Sequence, residues 1–150
     1  MKKNGFTLFE LLVSISIIAI LTAVAMTSFS GAQRKARDSR RISDMNSVQK
    51  AAEQYYSFSN YVYPVDTAPS SWVTTSGQII LDIFPIDPKG GLSNSYIYNS
   101  GVGLTTFCAC ATLENNTGNS INQTCTSYVN GTGTYYCVKN QQWWKKMPLV

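Results

Sequence analysis

Hydrophobic and polar positions divide the chain into three regimes. From Phe6 to Phe29 (FTLFELLVSISIIAILTAVAMTSF) nearly every position is apolar or small, with neither Gly nor Pro and a single charge, Glu10. As a helix this stretch rises roughly 36 Å, enough to cross the hydrocarbon core of a bilayer. From Ala32 the pattern thins to one stripe. Ala32, Ala36, Ile42, Met45, Val48, Ala52 and Tyr55 recur at steps of three or four, apart from a six-residue step over Ser39. Such a stripe predicts an amphipathic helix with one face on a core. No Pro falls between Phe6 and Tyr63, so one long helix is expected to about Ser57, with Gly31 the place where it would bend.

After Ser57 the composition changes to turn chemistry. Ser59-Asn60-Tyr61, Tyr63-Pro64, Ala68-Pro69-Ser70-Ser71 and Phe84-Pro85-Ile86-Asp87-Pro88-Lys89-Gly90-Gly91 mark loops. Between them Ile79–Phe84 is a short apolar run, too short to assign to helix or strand. Alternation then begins. Ser95–Ser100 places Tyr96 and Tyr98 on one face. Leu104–Leu113 places Thr105, Phe107, Ala109, Ala111 and Leu113 on one side and Thr106, Cys108, Cys110 and Thr112 on the other. Asn115–Asn119 reads as a turn. Ser127–Val129 and Thr134–Val138 flank Asn130-Gly131-Thr132-Gly133, which predicts a hairpin. The expected architecture is α+β: a long N-terminal helix, its first half transmembrane, packed by its C-terminal half on an antiparallel sheet.

Composition narrows the chemistry. The 150 residues include 12 Lys and Arg against 8 Asp and Glu, and no His. His-based triads and His metal sites are therefore excluded. No nucleophile–base pair is visible, and no enzyme activity, cofactor or metal is expected. The four Cys all follow Phe107. Cys108 and Cys110 share a strand face about 7 Å apart, poorly placed to bond each other but able to reach separate partners, Cys125 or Cys137. Two disulfides are expected, with connectivity open; zinc is disfavoured by a C-x-C spacing. Asp87 is expected as a turn residue beside Pro. Asn115, Asn122 and Asn130 head N-x-[ST] triplets, which polar turns also produce. Trp143-Trp144-Lys145-Lys146 could stack on bases and meet phosphates, or pack one Trp on the sheet with solvated lysines.

Two charged features remain. Arg34, Lys35, Arg37, Arg40 and Arg41 form a basic run, a candidate contact for anions or a neighbouring subunit; the plainer expectation is a solvated face with Asp38 and Asp44 interspersed. On charge count alone this run opposes insertion with Lys2 and Lys3 in the cytoplasm. Glu10 is the sharper feature. A charge at the centre of a membrane helix costs roughly 2.5–3.5 kcal/mol, and such residues usually have a partner. The segment holds no cation. Cleavage after Gly5 would create an α-amine on Phe6, which a staggered neighbouring copy could present to Glu10.

Gly5-Phe6-Thr7-Leu8-Phe9-Glu10-Leu11-Leu12, behind the short basic leader Met1–Gly5, resembles the class III prepilin signal of type IV pilins and type II secretion pseudopilins. The resemblance implies cleavage by prepilin peptidase between Gly5 and Phe6, N-methylation of Phe6, and Glu10 as the charge that neutralises a neighbour's N-terminal amine. A cleaved secretory signal ending at Ala23-Val24-Ala25 fits less well, because the apolar run is too long. Many members of the family carry Gly and Pro where this chain has Ala19 and Thr27, so helix melting near that Pro is not carried over. Tyr63-Pro64, then Pro85-Ile86-Asp87-Pro88 followed by Tyr96 and Tyr98, resemble passages of major pseudopilins and extend the likeness to about residue 100. Their calcium loop is not carried over, since no Asp follows Asp87.

The resemblance implies four segments: leader 1–5, transmembrane and filament-core helix 6–29, amphipathic continuation 30–57, and a pilin head 58–150. It implies a structural subunit of an extracytoplasmic type IV filament, with a secretion pseudopilin or a DNA-binding minor pilin as alternatives. Its partners would be other copies, minor pilins, the peptidase, assembly-platform proteins and, on the alternative, DNA. Its place would be the inner membrane, single-pass with the C-terminus outside, and then a pilus or pseudopilus.

Overall fold

The computed structural model describes residues 5–65, 71–90 and 96–141, and of Thr27 and Ser28 only the backbone. Helix α1 spans Leu8–Phe58. Among the described residues seven strands follow: β1 (Trp72–Val73), β2 (Ile79–Leu81), β3 (Ile97–Ser100), β4 (Phe107–Thr112), β5 (Gly118–Ser120), β6 (Tyr128–Gly133) and β7 (Tyr135–Lys139). The chain divides into two compact units, Met1–Lys35 and Ala36–Val150.

In the first unit the helix presents its large apolar side chains outward all round, from Leu8 through Phe29. Gly31 does not interrupt it. Among the described hydroxyls, those of Ser14, Ser16 and Thr22 bond back to their own helix. Ser14 Oγ donates to the Glu10 carbonyl at 2.7 Å, and Thr22 Oγ1 to the Ile18 and Ala19 carbonyls at 3.0 Å. Polar groups satisfied within their own helix suit a segment that leaves water.

In the second unit α1 buries Asp38, Arg41, Met45, Val48, Ala51 and Ala52. The helical spacing expected from sequence holds from Met45 onward. Ala32 and Ala36 are exposed instead, and the stripe is continued by Asp38 and Arg41. The helix ends in a six-to-one turn, with Tyr61 N–H donating to the Tyr56 carbonyl and Asn60 in the left-handed region at φ 52°. Met45, Val48 and Ala52 pack with Tyr96, just ahead of β3, and with Tyr98, Phe107, Ala109, Ala111 and Val138 of the sheet. Trp72 and Phe84 fill the flank, Trp72 lying 5.0 Å from the Tyr98 ring centroid. Of the run at Ile79–Phe84, Ile79–Leu81 form β2, which pairs antiparallel with β1.

The main sheet is five-stranded in the order β3-β4-β7-β5-β6. This corrects two expectations. Asn130-Gly131-Thr132-Gly133 lies inside β6 rather than in a hairpin turn, and β6 pairs with β5, not β7. Gly118 and Asn119 belong to β5 rather than to the preceding turn. The physical reason is close approach. A Cβ on Gly118 would collide with the Tyr135 carbonyl, and one on Gly133 with the Ser120 backbone. These glycines let β5 fit between β6 and β7; they do not serve to bend the chain. Trp143–Lys146 lie outside the described residues.

Candidate functional site

At the N-terminus, Gly5, Phe6 and Thr7 precede the helix in irregular, exposed backbone. A bond between Gly5 and Phe6 is thus held outside the helical hydrogen-bond ladder. Thr7 and Glu10 close the helix end reciprocally. Glu10 Oε2 accepts from Thr7 N–H at 2.9 Å and from Thr7 Oγ1 at 2.8 Å, while Glu10 N–H donates to Thr7 Oγ1 at 3.2 Å. This is a capping box, with Thr7 as cap and Glu10 three residues on. Glu10 therefore has a local role that its reading as a register charge omitted. The T-x-x-E spacing was the available signal.

The basic run does not form one surface. Arg34, Lys35 and Arg40 are exposed, but Arg41 is 1% exposed and Arg37 is partly covered. Arg41 grips Asp87 with two parallel bonds, Nε to Oδ2 at 2.8 Å and Nη2 to Oδ1 at 2.9 Å. Its Nη1 reaches Asp38 at 2.8 Å and Glu114 at 2.9 Å. Arg37 donates to both oxygens of Glu114, at 2.7 and 2.8 Å. Asp38 also accepts from the N–H groups of Glu114 and Asn115. The cluster ties α1 to the Pro85–Pro88 passage and to the turn after β4. The bidentate bond to Asp87 raises the Arg41 pKa further, and the Arg37 guanidinium, with Arg41, brings Glu114 down to about 2. Arg41 is thus buried and bonded inside the head, which takes it off the surface as a contact for a neighbouring subunit or an anion, while Arg37 gives Nε and Nη2 to Glu114 and keeps 28% of its side chain exposed. Asp87 keeps its turn role too, accepting the Lys89 N–H at 2.8 Å.

The structure pairs Cys108 with Cys125 and Cys110 with Cys137. Both bonds lie on the sheet face opposite the Phe107, Ala109 and Ala111 side chains. They fasten the irregular stretch after β5 and strand β7 to β4. The three cysteines close enough to share a cation, Cys108, Cys110 and Cys125, are all consumed by these bonds.

Residues 1–26 match the family model described as the prokaryotic N-terminal methylation motif. A curated relative, "Type II secretion system core protein G" from Escherichia coli (strain K12), is 33% identical over 63 residues. That alignment covers 42% of this chain and 43% of the relative, so the chain spans under half of that protein's length. This chain is type IV pilin-like. No solved structure gives a significant match. In the pilin-like chain the matched motif holds Gly5, Phe6 and Glu10, with the apolar helix behind them. Outside it lie the residues that sequence reasoning missed as a group: Asp38, Asp87 and Glu114 around Arg41. Their signal was the six-residue gap in the apolar stripe, which Asp38 and Arg41 occupy at helical spacing from Met45.

Proposed function

We propose that this chain is a structural subunit of an extracytoplasmic type IV filament, without catalytic activity of its own. On this reading it waits in the inner membrane with its C-terminus outside, is cut by prepilin peptidase between Gly5 and Phe6, is methylated on Phe6, and polymerises through its N-terminal helix. The observation that carries the proposal is the exposed apolar rod behind a T-x-x-E cap. Phe6, Leu8, Phe9 and Ile18 are 82%, 83%, 73% and 59% exposed in the isolated chain. A surface of that extent needs lipid or neighbouring helices around it.

Lipid and fibre core suit the apolar side chains about equally, so hydrophobicity alone does not favour leaving the bilayer. Glu10 breaks the tie. In lipid it has only its Thr7 cap. In a staggered fibre it also meets the α-amine of a neighbouring Phe6, and a wrong stagger strands both charges. A buried charge left without its partner costs roughly 3–5 kcal/mol, enough to select one register.

A pseudopilin of a type II secretion system is the second reading, favoured by the likeness to the secretion core protein. A DNA-binding minor pilin loses support because Arg37 and Arg41 are engaged internally. Intact mass of the subunit in the envelope fraction tests the proposal. A chain lacking residues 1–5 and carrying one added methyl group is expected; a mature N-terminus at Met1 or after Ala25 contradicts it.

A further inference from the structure

The two disulfides differ in access and lie against each other. Cys108 and Cys125 are half-buried, whereas Cys110 and Cys137 are 1% and 2% exposed. An open cavity of about 480 Å³ beside the ends of β3, β4 and β7 is lined by Asn99, Thr106, Cys108, Thr124, Cys125 and Lys139. It reaches the first bond and not the second. Inside, Cys110 Sγ lies 3.6 Å from Cys108 Sγ and 3.9 Å from Cys125 Sγ. A thiolate freed at either outer cysteine is thus already in contact with a sulfur of the inner bond.

We propose that this cavity admits a small thiol to the Cys108–Cys125 bond and that the two disulfides then exchange in a fixed order. The incoming thiolate forms a bond to Cys108 Sγ and expels Cys125 as thiolate. Lys139, opposite Cys108 in the β4–β7 register, also lines the cavity, and its Nζ rests over the Tyr128 ring at 4.5 Å from the centroid. Cys125 then attacks Cys110 Sγ and expels Cys137. The products are a mixed disulfide on Cys108, a Cys110–Cys125 bond and a Cys137 thiol. One thiol is consumed and one released, so no net oxidation occurs. The opposite order is unproductive. If Cys125 were attacked and Cys108 expelled, its attack on Cys110 would have to join residues two apart on one strand, about 7 Å between Cα atoms, where a disulfide is strained.

The full chain in detergent, treated with reduced glutathione and then alkylated and mapped without reduction, tests the order. Glutathione on Cys108, a Cys110–Cys125 linkage and alkylated Cys137 are expected. An intact Cys110–Cys137 linkage beside glutathionylated Cys108 and alkylated Cys125 overturns the exchange step. Glutathione first on Cys110 or Cys137 overturns the role of the cavity. Cys108→Ser and Cys125→Ser provide an independent arm without any added thiol. In Cys108→Ser the single free thiol should be shared between Cys125 and Cys137; in Cys125→Ser it should stay on Cys108. Labelling of Cys137 should differ between the two by roughly tenfold or more, the least that a strained same-strand bond imposes. Equal labelling of Cys137 in both variants contradicts the proposal.

Discussion

Arg41 is the side chain with most at stake in the head. It is 1% exposed and donates to three carboxylates, two of them also buried. Buried ion pairs are weak stabilisers when compared with an apolar replacement of the whole group, but removing one partner leaves the rest uncompensated. Arg41→Ala should therefore cost about 3–5 kcal/mol, and thermal denaturation of the full chain in detergent should show a fall in Tm of 10 °C or more, by roughly 4–8 °C per kcal/mol. Arg40→Ala, one residue away but exposed, should stay within about 0.5 kcal/mol. Glu114 sets the pH response. Its folded pKa, near 2, lies below the 4.5 of an ordinary glutamate because of Arg37 and Arg41. A depressed carboxylate contributes stability that is fully present above the unfolded value and is lost as pH falls through the folded one. The head should therefore lose stability between about pH 4.5 and 2. Glu114→Gln should flatten that limb while lowering stability at pH 7. A limb unchanged in Glu114→Gln would mean the cluster does not govern acid sensitivity.

At the scale of elements, β5 depends on two glycines facing each other in register, Gly118 and Gly133. Alanine at either would drive a methyl into backbone of the neighbouring strand, which cannot yield like a flexible side chain. Gly118→Ala should destabilise by more than about 2 kcal/mol and raise amide exchange across β5 and β6. Gly131, with open space around it, should tolerate alanine at about 1–3 kcal/mol, the cost of a left-handed residue. The same glycines show what sequence could convey. Long-period signals were legible: the apolar rod, the Met45–Val48–Ala52 stripe, and the alternation that buries Phe107, Ala109 and Ala111. The partner of each strand was not. Gly in Asn130–Gly133 carries the same letter whether it turns a hairpin or clears a path for β5, and only the non-local pairing decides. The ionic cluster was hidden for a related reason. A charged residue on a stripe reads as a gap until the carboxylates 46 and 73 positions away close on it. The two units also differ in what they need from their surroundings. A chain truncated to begin near Ser30 should be soluble and monomeric by light scattering, because the apolar segment ends at Phe29. Membrane association or fibre formation by that fragment would contradict the division of labour.

At the scale of the whole molecule, the proposed function assigns assembly to the N-terminal rod, while the head is stapled by its own two disulfides. Glu10 caps its own helix through Thr7 and, on the proposed filament reading, also offers a charge to a neighbour. These roles separate chemically. Gln in the third position of a capping box still reaches back to the cap N–H, so Glu10→Gln keeps the local bond and loses the charge. Glu10→Ala loses both. If capping were the whole purpose of Glu10, Gln would behave as Glu does, and the only cost of Ala would be a frayed helix start of about 1 kcal/mol. The deciding measurement is the yield of sheared filaments from cells carrying Glu10→Gln and Glu10→Ala, alongside membrane-fraction levels and leader cleavage. Normal insertion and cleavage are expected in both, with filaments abolished in Glu10→Ala and a yield between that and wild type in Glu10→Gln. Wild-type filament yield from Glu10→Gln cells would contradict the proposed charge role of Glu10.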